Sequence, residues 1–461
     1  MFTPQFMLKG VISSMNFTAI GLQVPTLLLP RSEVNLTQWA VVACDQYTSQ
    51  ADYWAQVEAQ VRDAPSTLRL MLPEVYLGAL DEAQRIAAIQ ETMRRYLADG
   101  VLETQPPGLI LVERTTARGR IRRGLIAALD LEQYDFNPGA KALIRPTEGT
   151  ILERLPPRVR VREHAPLELP HVMVLIDDPQ RMVIDPLFAE PLDLLYDAPL
   201  MLNSGRVRGW RLDHPALIQW VVEQLSRLAD PATFSARYGV SDEPALLYAM
   251  GDGNHSFATA KIIWENLKRA APDPAAIMNH PARHALVELV NLHDDGLEFE
   301  AIHRVAFGVD VPHLLAALSA FCATQGSALT VLDYPSWATT RQAWQELQEL
   351  PNRHVIAFIS GGRYGVLSIE QPRLTLPVAS LQAFLDDYLP RQSAARIDYI
   401  HGEDALTELG AQPGNIGFYL PTLDKNDFFR TVIHDGALPR KTFSMGEADE
   451  KRFYLECRRI S

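Results

Sequence analysis

The chain has 461 residues, a formal net charge of −13 at pH 7, 47% hydrophobic residues and 21% charged residues. This length and composition are typical of a large globular protein and exclude the disordered and fibrous classes. The negative charge argues against general binding to nucleic acid or to a membrane surface. The 3 cysteines are widely spaced and predict neither a disulfide framework nor a zinc site, so we expect a cytoplasmic protein.

Residues 1–20 contain Lys9 and a short apolar run, but neither a long hydrophobic region nor a small-residue cleavage site follows. We interpret them either as a loose tail or as an over-extended start, with Met15 as the natural initiator. No run is long enough to span a bilayer. We predict a main α/β domain over residues 21–307, which carries the site, and a C-terminal α/β lobe over residues 308–461 packed against it.

Strand and helix patterns alternate along the chain, which predicts a mixed α/β (or α+β) fold. Apolar runs predict strands at residues 39–44, 171–176, 244–250, 282–291, 299–307, 328–332, 396–402 and 415–420, and hairpins at 109–112 with 124–129 and at 354–359 with 365–369. Apolar residues at helical spacing predict helices at residues 81–99, 216–228, 254–269, 311–324, 339–350, 376–389 and 425–434. Residues 192–210 read as a loop.

The run Gly251-Asp252-Gly253-Asn254-His255-Ser256 separates a predicted strand from a predicted helix. Its glycines allow positive φ and a close backbone approach, and Asp252 or Asn254 can cap the helix. The N–H groups and dipole at a helix start suit phosphate or carboxylate. We therefore predict Asp252, His255 and Ser256 as catalytic residues, and Gly253, Asn254 and Lys261 as ligand-binding residues.

Asp45, Gln46 and Thr48 follow an apolar run, and the end of a strand is where α/β proteins place ligands. The alternative is that Thr48 or Ser49 simply caps the next helix. Similar polar groups follow other strands, at Asp177-Asp178 and at residues 293–295. Such strand ends can converge on one crevice.

Residues 145–162 contain five arginines, which produce a positive field within an acidic protein. Arginine binds phosphate or carboxylate in a bidentate manner, so we predict Arg145 and Arg154 as anion ligands, with Thr147 and Glu148 beside them. The alternative is a set of weak surface ion pairs with the neighbouring glutamates.

His303 and Arg304 lie within a predicted strand, where burying an unpaired charge is costly. We therefore favour a partner carboxylate or a bound anion for Arg304 over solvent. Asp177 and Asp178 could hold Mg²⁺, although Asp-Pro more often forms a turn. The segment from residue 438 is either a tail docked by Phe443, Phe453 and Tyr454 or a lid that supplies Lys441 and Lys451 to an anion.

Several ordered motifs resemble the domain-of-unknown-function 1015 family of uncharacterised bacterial proteins, from about Pro25 to Ile460. They are Val42-Ala43-Cys44-Asp45-Gln46-Tyr47-Thr48-Ser49, Ile144-Arg145-Pro146-Thr147-Glu148-Gly149-Thr150, Leu169-Pro170-His171-Val172-Met173, Gly251-Asp252-Gly253-Asn254-His255-Ser256, Ile302-His303-Arg304 and Asp398-Tyr399-Ile400-His401-Gly402. The family has no settled function, so the resemblance alone implies no reaction.

The Asp252-Gly253-Asn254-His255-Ser256 run is also similar to the Gly-x-His-Arg helix start of the ParB/sulfiredoxin-like superfamily. That resemblance implies a ParB/sulfiredoxin-like core with an additional mixed-sheet lobe. It also implies binding of nucleotide phosphates and, because the superfamily includes a free-serine kinase, a link to serine metabolism. Ser256 stands where the superfamily has arginine, so either Lys261 or an arginine of residues 145–162 holds the phosphate, or the ligand is a different one.

The sequence thus predicts an enzyme acting on a small phosphorylated or carboxylated metabolite, by phosphoryl transfer or phosphate-ester hydrolysis, with phosphoserine or serine as candidates. Asp252 or His255 would transfer the proton. Mg²⁺, a nucleotide and a homo-oligomer are compatible with this reading, whereas binding of nucleic acid is disfavoured. The alternative is a non-catalytic regulator that binds a nucleotide or metabolite.

Overall fold

The structure, a computed structural model, describes residues 16–461 apart from the side chain of Arg154. Two compact units are present: residues 16–146, 150–297 and 447–461 form unit 1, and residues 147–149 and 298–446 form unit 2. The predicted domains stay a prediction, because compactness does not test whether either part folds alone. Residues 1–15 of the predicted tail lie outside the described residues, and Asn16–Phe17 pairs with Leu22–Gln23.

The helices of unit 1 carry apolar residues at helical spacing on one face. They are α1 (Leu36–Trp39), α2 (Ala51–Val61), α3 (Glu82–Ala98), α4 (Leu155–Arg162), α5 (Pro215–Leu228), α6 (Pro231–Tyr238) and α7 (Asn254–Ala270). The helices of unit 2 are α8 (Val311–Thr324), α9 (Trp337–Gln348), α10 (Pro377–Tyr388), α11 (Glu403–Gly410) and α12 (Lys425–His434). All seven predicted helices are confirmed, with ends that differ by at most two residues.

The strands of unit 1 are, first, β1 (Asn16–Phe17), β2 (Leu22–Gln23), β3 (Leu28–Pro30), β4 (Val41–Val42), β5 (Leu102–Thr104), β6 (Leu109–Thr115), β7 (Ile121–Asp130), β8 (Ile144–Arg145), β9 (Leu167–Glu168), β10 (Met173–Ile176), β11 (Leu194–Pro199), β12 (Arg206–Leu212), β13 (Tyr248–Asp252) and β14 (His284–Asn291). Unit 2 contains β15 (Phe299–Phe307), β16 (Ala328–Tyr334), β17 (Arg353–Ser360), β18 (Arg363–Glu370), β19 (Arg396–His401), β20 (Ile416–Tyr419) and β21 (Phe443–Met445). The chain then returns to unit 1 with β22 (Phe453–Tyr454) and β23 (Arg458–Arg459).

Unit 1 is built on a mixed sheet of order β11-β12-β6-β7-β14-β10-β13-β8, with β2 also paired to β7. Strands β10 and β14 are parallel, and β13 and β8 are parallel, whereas β10 and β13 are antiparallel. Every residue of the central strands β10 and β14 is buried, as the continuous apolar sequence of β10 predicts, and β14 also buries His284, Glu288 and Asn291. The mixed α/β fold is therefore confirmed, while a ParB/sulfiredoxin-like core stays a prediction.

Unit 2 is built on an antiparallel sheet of order β16-β18-β17-β20-β15-β19, with β21 paired to β15. The predicted hairpin at residues 354–369 is confirmed as β17 and β18. In unit 1, the predicted hairpin of β6 and β7 is confirmed as well.

Three local predictions were wrong. Residues 192–210 are not a loop: β11 and β12 pair across them, with Tyr196 and Ala198 buried in an alternating pattern that the prolines and the Asn-Ser-Gly run obscured. Neither Thr48 nor Ser49 caps α2, whose N-cap is Gln50 without a side-chain bond. The strand predicted at residues 39–44 is confined to Val41–Val42, because residues 36–39 form α1.

Candidate functional site

The polar strand ends predicted to share one crevice lie at two opposite ends of β10. Because β10 and β14 are parallel, Asp177 and His293 meet beyond their carboxyl ends, with 2.7 Å between Asp177 Oδ1 and His293 Nε2. Because β13 runs the other way, Asp252 lies opposite Met173 at the start of β10. The second end of β10 therefore gathers the Gly-Asp-Gly motif and the Pro-His-Val-Met motif.

Gly253 forms the turn from β13 into α7. It is the N-cap of α7, with φ +82° and no side-chain cap, so neither Asp252 nor Asn254 caps the helix as predicted. A Cβ at residue 253 would lie 3.1 Å from Val172 Cα, next to His171. Asp252 Oδ1 instead accepts the backbone N–H of Gly253 at 2.9 Å. A residue with φ > 0 and almost no room beside it must be glycine.

His171 is the centre of the site. Its Nε2 lies 2.8 Å from Ser256 Oγ and 3.8 Å from Asp45 Oδ2, and its Nδ1 lies 2.8 Å from the Tyr454 hydroxyl. Three motifs that are far apart in the sequence thus meet at one imidazole. The first turn of α7 positions Ser256, and the residues just before β10 position His171.

The hydrogen bonds of Tyr454 determine which nitrogen of His171 carries the proton. The Tyr454 hydroxyl accepts the Cys44 backbone N–H at 3.3 Å and lies 3.2 Å from Cys44 Sγ. Burial raises the pKa values of the Tyr454 hydroxyl and the Cys44 thiol, so both stay protonated. The hydroxyl thus has two acceptors within reach, Cys44 Sγ and His171 Nδ1, and the tautomer of His171 depends on which of them receives its proton.

Lys451 provides the positive charge of the site. Its Nζ lies 3.1 Å from Asp252 Oδ2, and its side chain is 14% exposed. Burial acts to raise the pKa of Asp252, but the charge and hydrogen bond of Lys451 and the backbone N–H of Gly253 outweigh burial and hold that pKa below its usual value. An ionised Asp252 thus keeps the ammonium group beside the start of α7.

A cavity of about 130 Å³ opens beside His171. Its lining includes His171, Ser256 and Tyr454, and also Glu74 and Arg158, which pair at 2.5 Å. Burial raises the pKa of Glu74 despite the partly offsetting charge of Arg158. Most of the remaining lining is apolar, so the cavity joins the polar cluster around His171 to an apolar interior.

His171, Tyr454 and Lys451 were not among the predicted site residues. His171 lies within a family motif but does not end a strand, which was the signal used to select candidates. Lys451 was considered only as part of a lid, and Tyr454 only as a docking residue. Lys451 and Tyr454 both reach the site because β22 pairs with β4. In this pairing Phe453 lies opposite Val42, close in sequence to Cys44.

Of the predicted residues, Asp45, Asp252, Gly253 and Ser256 come together in this site. Gln46 donates to Asp45 Oδ1 at 3.0 Å, and it lines a second, wider cavity of about 570 Å³ together with Thr48.

Asn254 and His255 belong to the same first turn of α7 as Ser256, and His255 Nε2 accepts the Ile151 N–H at 3.4 Å. Lys261 bonds instead to the Leu131 carbonyl at 2.9 Å and to Glu265 at 2.8 Å.

The arginines predicted to bind anions have other contacts. Arg145 is buried and donates to the carbonyls of Ala142 and Pro244 at 2.9 and 2.8 Å. Burial lowers its pKa. The side chain of Arg154 lies outside the described residues. The anion-binding roles of both residues stay predictions.

The remaining predicted residues belong to unit 2. Arg304 is fully buried and donates to the carbonyls of Lys441 and Arg440 at 2.8 and 2.9 Å, and to that of Ile302. His303 is buried and accepts the Leu420 N–H at 3.1 Å. Thr147 accepts the Leu438 N–H at 2.7 Å through its carbonyl, and Glu148 forms a bridge with Leu438.

The Asp177-Asp178 pair is occupied by protein partners. Asp177 bonds to Arg237, Tyr238 and His293, and Asp178 accepts the Val183 N–H at 2.7 Å. Within residues 16–461, no group of three or more His, Cys, Asp or Glu side chains is arranged to hold a metal ion. No helix in this part of the chain is both long and apolar enough to cross a membrane.

Comparison with solved structures finds only distant similarity. A free serine kinase in complex with AMP is 9% identical, with 72% of this chain and 90% of that chain covered and a TM-score of 0.37. A conserved hypothetical protein from Pyrococcus furiosus is 11% identical (71% and 93% covered, TM-score 0.35), and C-terminally truncated SbnI from Staphylococcus aureus is 11% identical (70% and 83% covered, TM-score 0.31). Similarity at this level carries no inference about activity.

Comparison with protein families gives a clearer result. No curated protein matches the chain significantly. Residues 27–388, well over half of the chain, match the family model described as "Protein of unknown function (DUF1015)". This range includes Asp45, His171, Asp252 and Ser256. The chain therefore belongs to the DUF1015 family.

Proposed function

We propose that the protein is an enzyme that transfers or hydrolyses the phosphoryl group of a small metabolite at the site around His171. The observation that carries this proposal is the 2.8 Å contact between Ser256 Oγ and His171 Nε2, beside the ion pair of Lys451 and Asp252. A hydroxyl, an imidazole and an ammonium group at a helix start are the groups that phosphoryl chemistry requires.

Charge neutralisation comes from Lys451 and from the start of α7. A phosphoryl group in the transition state spreads negative charge over its three equatorial oxygens, so fixed positive charge lowers the barrier. Asp252 keeps the ammonium group in place. This arrangement supplies the cation that was expected from Lys261 or an arginine of residues 145–162.

Proton transfer falls to His171. In the tautomer with the proton on Nδ1, its Nε2 takes the proton of the attacking hydroxyl as that oxygen bonds to phosphorus. The ester bond breaks in the same step, and the departing alcohol oxygen takes up a proton from water. The attacking hydroxyl belongs either to Ser256 or to a substrate or water in its place. Asp45, 3.8 Å from Nε2, stabilises the imidazolium that forms.

The identity of the substrate is separate from this proposal of reaction class. Phosphoserine or serine, a nucleotide as second substrate and Mg²⁺ stay predictions from the sequence. The screen that tests the proposal should therefore measure phosphate release and phosphate transfer over phosphorylated metabolites, with and without Mg²⁺ and nucleotides.

Two histidine variants test the roles of the residues. His171→Gln should lower kcat by about 10²–10⁴-fold, the usual effect of losing a general base. His255→Gln is the matched control, because His255 lies on the same turn but bonds to the Ile151 N–H. Loss of turnover only in His255→Gln would make His255 the base, as the sequence predicts.

Binding provides the test against the alternative function. A phosphorylated ligand that raises the Tm by linkage but is never turned over would identify a regulator instead of an enzyme. The reaction class is refuted outright if no phosphate compound changes the Tm and none is consumed.

A further inference from the structure

The cavity beside His171 has a volume and a lining that limit what the substrate can be. Its volume is about 130 Å³. Apolar residues such as Leu72, Met93, Leu169 and Leu286 line much of it, and each of them is at least half-buried. Protein interiors are close-packed, so a void of this size beside the His171 site offers space for a ligand group.

The volume is close to that of a known apolar binding cavity. An engineered cavity of about 150 Å³, lined by leucine, isoleucine and phenylalanine, stays dry and binds benzene. Three alanines, Ala165, Ala260 and Ala285, contribute to the lining here and leave the space that larger residues would fill. The cavity is thus large enough for a branched alkyl group or a single six-membered ring.

Two of the polar residues that line the cavity, Ser256 and Tyr454, contact His171. Cys44 also lines the cavity, and Glu74 and Arg158 already neutralise each other at 2.5 Å. A ligand with its phosphate at Ser256, which lines the cavity, and its carbon skeleton in the cavity would bury apolar surface. Phosphoserine has no apolar group to place there, and its ammonium and carboxylate would lose hydration.

We propose that the site acts on phosphate esters of compact apolar or aromatic alcohols, whose carbon group occupies this cavity, in preference to phosphoserine. This inference rests on the proposed function and specifies its substrate class. Each added methylene that enters the cavity should tighten binding about fourfold, until the cavity is full.

A series of esters tests the inference. We would measure Kd and kcat/KM for methyl, ethyl, propyl, butyl and phenyl phosphate and for phosphoserine. The expected result is a rise in affinity from methyl to butyl or phenyl phosphate, with phosphoserine weaker than phenyl phosphate by at least tenfold. Equal affinity and turnover across the series would overturn the inference and leave the proposed function intact.

Two cavity variants with opposite effects locate the binding. Ala285→Val reduces the cavity and should lower the preference for phenyl over methyl phosphate at least tenfold. Met93→Ala enlarges it and should move the preference toward longer chains. Ala127→Val is the matched control, because Ala127 is also buried, on the neighbouring strand β7, and does not line the cavity.

The outcomes separate the two proposals. A preference for phenyl phosphate that neither cavity variant changes, or that Ala127→Val changes equally, would overturn the cavity as its cause. If no ester of the series binds or reacts, and phosphoserine does neither, the proposed function itself fails.

Discussion

Replacement of Gly253 by alanine should destabilise unit 1 and displace the turn that carries Ser256. Two costs are expected, and the structure separates them. A non-glycine residue at φ +82° costs about 1–2 kcal/mol. The new Cβ would also lie 3.1 Å from the backbone Cα of Val172, so β10 or α7 must shift, which typically costs a further ~1–3 kcal/mol.

Two other glycines provide matched controls. Gly239 ends α6 at φ +68° with open space around its Cβ position, so Gly239→Ala should show only the backbone cost of about 1–2 kcal/mol. Gly251 has no positive φ, but its Cβ would lie 3.0 Å from Leu175 Cγ, so Gly251→Ala should show only the packing cost. Gly253→Ala should therefore lower the free energy of unfolding by roughly the sum, about 2–5 kcal/mol.

The assay is urea unfolding followed by tryptophan fluorescence, with turnover of the folded variants as a second readout. Turnover should fall in Gly253→Ala and stay near wild type in Gly239→Ala, because only residue 253 joins Val172 to the turn that carries Ser256. The reasoning is wrong if Gly253→Ala costs no more than Gly239→Ala. It is also wrong if the full destabilisation appears but turnover is retained.

Three further variants test the electrostatics. Arg304→Met should lower the free energy of unfolding by on the order of 3 kcal/mol, because the backbone carbonyls that accept from Arg304 lose their donor. The affinity for phosphate should not change. A large loss of phosphate affinity in calorimetry would instead support the predicted anion-binding role. Burial lowers the pKa of His303 to about 4, below the usual 6.5. As the pH is lowered, the unfolded chain therefore binds a proton at His303 before the folded chain does. The free energy of unfolding should then decrease between about pH 6.5 and pH 4, by at most ~1.4 kcal/mol per pH unit. His303→Gln should reduce that slope in unfolding titrations, and an identical slope would contradict the assignment. Arg452→Met should lower the free energy of unfolding by about 3–5 kcal/mol, because Glu288 and Glu456 stay buried without the charge of Arg452. A change below about 1 kcal/mol in urea unfolding would show that this buried cluster does not stabilise unit 1.

Helices and hairpins could be predicted because their signals are local. The apolar residues of α3 recur at helical spacing, and the Gly361-Gly362 turn separates two apolar runs. Strand direction has no such signal. The antiparallel pairing of β10 with β13, which places Asp177 and Asp252 at opposite ends, depends on the path of the chain between them.

The candidate site could be predicted only in part for the same reason. The Gly-Asp-Gly turn and Ser256 were identified because glycine and helix-start chemistry are local. Tyr454 and Lys451 approach Cys44 and Asp252 across long stretches of sequence, and nothing near residue 450 signals that contact. The caps were mispredicted because Gly253 fulfils its role through its backbone, whereas capping rules look for side-chain oxygens.

The pairing of β22 with β4 has a consequence for synthesis of the protein. Cys44 and Tyr454 bond across a separation of 410 residues, so the hydrogen-bond chain through His171 cannot close until residue 454 has left the ribosome. Until then, the cavity beside His171 lacks one of its lining side chains, and Asp252 lacks Lys451. A nascent chain that stalls before this point can contain most of the fold and still lack the complete site.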